Sequence, residues 1–204
     1  MEMRTQIKIQ NSKFKNNGFT LVELLVVFGI LALVGGMMSD LFAGILKGVN
    51  KSNVINEIKQ NGSYVINYFD RVVRNSSSII YDSSKVLVLK DQEVESCIKF
   101  QIQDAKPEIE NGYIGLSIAP RCLYDDDLGF DDLTFSGALE KKLTNIDLTR
   151  GVSVVNGQFV VSRPSGRPPT VTFSFVLSQG EGSAGGNDFK ASEVFQTYIT
   201  LRTN

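Results

Sequence analysis

The chain has 204 residues, of which 42% are hydrophobic and 21% charged, with a net charge of −1. That balance argues against disorder and suits one ordinary domain, or a small domain with an appendage. Histidine and tryptophan are both absent; without histidine the commonest general base and metal ligand is missing, which weighs against an enzyme.

The charge is unevenly placed. Residues 1–18 hold Arg4, Lys8, Lys13 and Lys15 against Glu2, a net +3 that leaves −4 on the remainder. A basic front and a mildly acidic body do not point to nucleic-acid binding by the body. At Phe19 the character changes abruptly. The uncharged run LLVVFGILALVGGMMS separates Glu23 from Asp40, and LFAGIL continues it to Lys47. A membrane span needs about 20 apolar residues, a length reached here if 20–22 or 41–46 is included. The basic flank keeps the N-terminal side cytoplasmic, so the chain beyond 47 is expected outside. Glu23 is the anomaly, because a lone charge at bilayer depth costs at least ~2.5–3.5 kcal/mol.

Three readings compete for this N-terminus. A secretory signal peptide has a short apolar core and a small-x-small cut site, but this run is longer and no Ala-x-Ala follows it. A plain signal anchor fits the hydrophobicity and gives no reason for Glu23 or for the Gly18–Phe19 junction. The third reading rests on a resemblance. Gly18-Phe19-Thr20-Leu21-Val22-Glu23-Leu24, with a basic leader before it and an apolar run after it, resembles the prepilin cleavage and methylation motif of type IV pilins and type II secretion pseudopilins. The resemblance covers the leader and the start of the span only.

It implies that prepilin peptidase cuts after Gly18 and methylates the new amine of Phe19. It also implies that Glu23 pairs with the amine of a neighbouring subunit during assembly. The implied partners are other pilins or pseudopilins, an inner-membrane assembly platform and membrane lipid. The physical logic is consistent with this. A freed α-amine has a pKa near ~7.7–8.0 and is largely cationic at neutral pH, and methylation can keep the charge. Paired across two helices, amine and carboxylate offset each other's desolvation. In a lone anchor Glu23 would instead snorkel to the headgroups. Many major pilins carry a proline farther along the span; here that stretch reads Gly35-Gly36-Met37-Met38-Ser39-Asp40. Paired glycines can also weaken or kink a helix. Ala32 and Gly36 form a small-xxx-small spacing that lets membrane helices approach, although small residues are common in spans generally.

Over 47–75 the apolar positions Val54, Ile58, Val65, Phe69, Val72 and Val73 recur at helical spacing and predict an amphipathic continuation of the helix. Asn61 fills an apolar slot, and Gly62 marks a soft point costing about 1 kcal/mol. Asn75-Ser76-Ser77-Ser78 ends the pattern. From there the period becomes two. Strands are expected over 79–81, 85–89, 97–103, 113–118, 152–155, 159–161, 170–177 and 195–202, with Gly, Asn or Pro at the breaks. Asn156-Gly157 reads as a tight hairpin. No helical stretch separates the strands, so the sheet is expected to be antiparallel and packed on the helix stripe.

Cys97 and Cys122 lie in the part expected outside the membrane, where oxidation is allowed. A bridge between them, and two buried free thiols, are both open. Asp125, Asp127 and Asp131 belong to an acidic run that reads by default as a solvated turn, with calcium as the alternative. Gly180, Gly182 and Gly185 spell G-x-G-x-x-G without the βαβ context of a dinucleotide site and read as a loop. Residues 162–169, rich in Arg and Pro, read as a loop between strands.

The expected fold class is α+β: a basic leader (1–18), a hydrophobic span (19–46), an amphipathic continuation (47–75) and a β-rich extracytoplasmic head (76–204). The expected function is a structural subunit of a type IV or type II secretion-like filament, in the manner of a minor pilin or pseudopilin. The alternative is a single-span, membrane-anchored binding or adhesion module that is not assembled. No enzyme activity, cofactor or nucleic-acid partner is expected of the head.

Overall fold

A computed structural model of the chain describes residues 19–106, 109–122, 124–125, 129–130, 135, 138–148, 151–180 and 191–202. One helix, α1 (Leu21–Arg74), precedes ten strands: β1 (Ser76–Asp82), β2 (Val86–Asp91), β3 (Cys97–Gln103), β4 (Tyr113–Ala119), β5 (Tyr124–Asp125), β6 (Gly129–Phe130), β7 (Lys141–Lys142), β8 (Val152–Ser162), β9 (Thr170–Gln179) and β10 (Ser192–Thr200). The chain divides into two compact units, one ending at Leu46 and the other beginning at Lys47.

The second unit is α+β, a helical stripe packed against antiparallel sheets. The buried helix positions are Ile58, Gly62, Val65, Phe69 and Val73, with Val54 and Val72 partly buried beside them. Their spacing of three and four places them on one face. That face closes two sheets, of order β1-β2-β3-β4-β7 and β10-β9-β8, and a small β5-β6 pair stands apart. Phe69 sits where they meet. Its ring centroid is 5.0 Å from Phe100 on β3, 5.8 Å from Phe159 on β8 and 4.6 Å from Phe173 on β9. β8 ties the sheets directly, its Val154 N–H donating to Gly112 O and its Phe159 N–H to Ser84 O, each at 2.9 Å.

Three local expectations are corrected. Asn156-Gly157 does not turn the chain: β8 runs through it, with a register shift between Val154 and Asn156. Gly157 is there for closeness, since a Cβ would lie 3.0 Å from Ile102 Cγ2; an Asn-Gly pair inside a strand marks a bulge or a close approach as well as a turn. The helix is unbroken at Gly62, where a Cβ would lie 2.1 Å from Phe195 Cζ. The glycine is a notch for the β10 phenylalanine rather than a weak point. Finally, β1 begins at Ser76, directly after Asn75, rather than at Ile79, and Ser76 Oγ donates to Val72 O at 2.8 Å, satisfying a carbonyl of the helix end.

Asn61, polar beside the stripe, anchors the segment after β7. Its Oδ1 accepts from Asn145 N–H at 3.0 Å, while Asn145 Nδ2 donates to Glu57 Oε1 at 3.1 Å. On the far side of the first sheet a smaller cluster gathers Val88, Cys97, Ala119 and Phe135. There Cys97 and Cys122 form a disulfide with Cα atoms 5.2 Å apart and a sequence separation of 25. Closing a loop of that size stabilises by roughly 3–4 kcal/mol in the chain-entropy description.

Gly62→Ala should destabilise the fold by about 1–3 kcal/mol, since overpacking outweighs the gain in helix propensity of about 1 kcal/mol. Denaturant melts of the full chain in lipid nanodiscs measure this, and Phe195→Leu in the same chain should restore part of the loss. A more stable Gly62→Ala would remove the notch.

Tyr113 is buried and its hydroxyl donates to Glu140 Oε2 at 3.1 Å. Burial, together with the adjacent Glu140 carboxylate, pushes its pKa from 10.0 up to about 12. Through that window the unfolded chain releases the phenolic proton and the folded chain keeps it. The contribution is therefore complete below the ordinary tyrosine value and is lost as pH rises towards about 12. Tyr113→Phe should flatten this alkaline fall in unfolding free energy; an unchanged slope contradicts the assignment.

Candidate functional site

The described part of the first unit starts with Phe19, which is exposed and directly precedes Thr20. Thr20 precedes the helix and caps it: its carbonyl accepts the first helical bond, from Leu24 N–H at 3.2 Å. Its Oγ1 accepts from Glu23 N–H at 3.3 Å, and both its N–H and its hydroxyl donate to Glu23 Oε2 at 3.4 Å. This is a reciprocal capping box, in which the residue before the helix and the third residue inside it satisfy each other's free donors. Glu23 also lies in the first turn of α1, where the helix dipole favours an anion.

The carboxylate that is anomalous in the sequence is therefore held by its own helix start. The sequence alone points Glu23 to an amine or to the headgroups; the signal for the cap at Thr20 is the T-x-x-E spacing ahead of an apolar run. The contacts are long for hydrogen bonds, at the loose end of the useful range. The carboxylate is engaged without being locked.

From Leu24 to Ser39 the helix carries no charge and is apolar on every side. Large side chains from Leu24 to Leu46 are exposed all round, with none buried. A helix of this kind is stable when surrounded by lipid or by other helices, and α1 contains a window of mean hydropathy 2.4, long and apolar enough to cross a membrane. The Gly35-Gly36 pair leaves it unbroken; Ser39 Oγ turns back to Gly35 O at 2.9 Å, so its hydroxyl stays satisfied where water is absent. Ala32 and Gly36 stand one turn apart, and a Cβ at Gly36 would meet no atom within 4 Å, so that stretch of surface is open.

Residues 13–39 match the prokaryotic N-terminal methylation motif. The chain carries the hallmark of prepilin-type precursors, those of type IV pilins and pseudopilins. The prepilin-type motif takes in Phe19, Thr20 and Glu23 and runs through the apolar helix to Ser39. No curated protein and no solved structure matches the chain.

Among the other residues singled out from the sequence, Gly18 and the rest of the leader lie outside the described residues, as do Asp127, Asp131, Gly182 and Gly185. Asp125 is in β5, paired with Gly129 of β6. Among the described residues no group of three or more His, Cys, Asp or Glu is placed to hold a metal ion. The 163–169 segment joins β8 to β9, and Arg163 at its start pairs with Asp82.

Thr20→Val should loosen the first turn of α1 by about 1 kcal/mol, the usual effect of losing a cap. Amide hydrogen exchange at Val22–Leu24 in nanodiscs should accelerate, and Thr20→Ser should restore it. Equal exchange in the three chains would show that the box contributes nothing.

Proposed function

We propose that this protein is a structural subunit, a minor pilin or pseudopilin, of a type IV pilus or a type II secretion-like filament. The observation that carries the reading is the prepilin-type motif over 13–39 on a helix that starts at a capping box and is uncharged and apolar on all sides from Leu24 to Ser39. Residues 1–18 are the leader that prepilin peptidase removes after Gly18. The 19–46 segment is the span and filament core, 47–75 its amphipathic continuation, and 76–204 the extracytoplasmic head. The N-terminus begins in the cytoplasm and the chain crosses the inner membrane once before an assembly platform draws it into the filament.

In this reading cleavage replaces a basic leader by a single ammonium group on Phe19, which methylation keeps cationic. Glu23 then changes partners. Its two donors at 3.4 Å from Thr20 are given up for a charge-assisted bond to the amine of the adjacent subunit, roughly twice as strong as a neutral one. Two charges that are each costly in hydrocarbon become one neutral pair. The open strip at Ala32 and Gly36 lets a neighbouring helix approach. The work of the chain is assembly and contact.

Mass spectrometry of the membrane fraction from a cell with active prepilin peptidase should find a chain that starts at methylated Phe19. Glu23→Ala should be cut normally yet fail to enter sheared filaments, falling at least about tenfold, as expected for loss of a buried partner. A chain that keeps Met1, or a Glu23→Ala variant incorporated at the normal level, would overturn the filament reading. The first of these results would favour an anchored, unassembled binding module.

A further inference from the structure

The outward face of the β8–β9–β10 sheet has no part in the assembly site. Its alternate positions across 156–162, 170–178 and 192–200 point away from the core. None of them is Asp, Glu, Lys or Arg, in a chain that is 21% charged. Solvated surfaces normally mix both signs of charge; on the edge strand β10 the charge is Glu193, on the opposite face and paired with Lys59. Here the cross-strand rows are Val160–Thr172–Tyr198, Gln158–Ser174–Gln196 and Asn156–Val176–Val194.

The face has a defined chemistry. Tyr198 is 67% exposed and Val194 69%. Gln196 Nε2 donates to the Tyr198 hydroxyl at 2.6 Å, fixing one side chain against the other. Beside them a groove of about 300 Å³ is bounded by Asn156, Gln158, Ser174, Val176 and Val194. Its floor is Ser174, a small side chain on the middle strand between Gln158 and Gln196.

We propose that this face binds a neutral carbohydrate chain. Sugar hydroxyls both donate and accept, and they match amide and hydroxyl side chains that do the same. The C–H face of a sugar ring lies on an exposed aromatic ring, here Tyr198. A tyrosine among Ser, Thr, Asn and Gln combines rigid contact area with adaptable hydrogen bonds. A polyanion such as nucleic acid or an acidic lipid surface needs cations to meet it, and the described positions of the face offer none. A second protein surface of stable kind would gather several aromatics, Met or Arg at its centre, whereas this face has a single aromatic among amides and hydroxyls.

The proposal stands apart from filament assembly and is tested on the unprocessed full chain. The protein is reconstituted in phosphatidylcholine–phosphatidylglycerol nanodiscs, which avoids sugar-headed detergents. It is titrated calorimetrically with cellohexaose, mannohexaose and chitohexaose, and with a heparin hexasaccharide as a polyanionic control. Saturable binding of at least one neutral oligosaccharide, and none of heparin, is expected. Tyr198→Ala and the double variant Gln158→Ala/Gln196→Ala should each weaken it about tenfold, with thermal midpoints unchanged, while Lys51→Ala on the helix leaves it intact. No saturable binding of any neutral chain at millimolar concentration would overturn the proposal, as would binding indifferent to both face variants. Self-association abolished by Tyr198→Ala and insensitive to added sugar would assign the face to a second copy and overturn it equally.

Discussion

A single helical stripe has to close two sheets at once. The main core of the second unit is shared: side chains from both sheets meet around Ile58, Val65, Phe69 and Val73 of the helix. Phe69 carries this furthest, because one ring meets Phe100 from one sheet and Phe159 and Phe173 from the other. Aromatic rings at these separations add to area burial rather than merely filling space. The spacing of the stripe therefore decides more than the helix. A slip of one residue would carry Phe69 off the junction and leave both inner faces without a shared neighbour.

The disulfide and the charged side chains are secondary to that arrangement. Cys97 opens β3 opposite Ala119 of β4, so strand pairing brings Cys122, just beyond, within bonding reach. Most ion pairs of the second unit are exposed, like Arg74 with Asp70 and Lys59 with Glu193, and pairs of that kind contribute little. Glu110 is a local exception in character: the hydrogen bond from Lys142, with Lys106 nearby, holds its carboxyl below the usual range. It keeps a polar corner ordered next to Tyr113.

What could be read from the sequence was whatever is periodic or local. The stripe from Val54 to Val73 shows its three-and-four spacing directly, and Thr170 to Leu177 alternates so regularly that β9 needs no further support. The processing motif is legible for the same reason, being a short ordered run of residue types before an apolar helix. Illegible features depend on distant residues. Gly62 looks like a flaw until Phe195 is placed against it, and Asn156-Gly157 looks like a turn until Ile102 is found beneath it. Alternation says which face of a strand is apolar and not which strand lies beside it, so it does not separate one sheet from the two that form. The capping box is legible as T-x-x-E, but a lone carboxylate in an apolar run points first to a charge outside its own chain.

The notch at Gly62 is filled by a side chain that the ribosome delivers long after the helix itself. Until Phe195 arrives, the helix exposes a gap on its most apolar face, with Phe175 lacking the ring it stacks on at 5.3 Å. Completion of the sandwich thus waits for one of its latest strands, a pairing of high contact order that forms slowly. A chain broken off before β10 would leave the notch at Gly62 and the inner face of β9 uncovered, an apolar edge open to other chains.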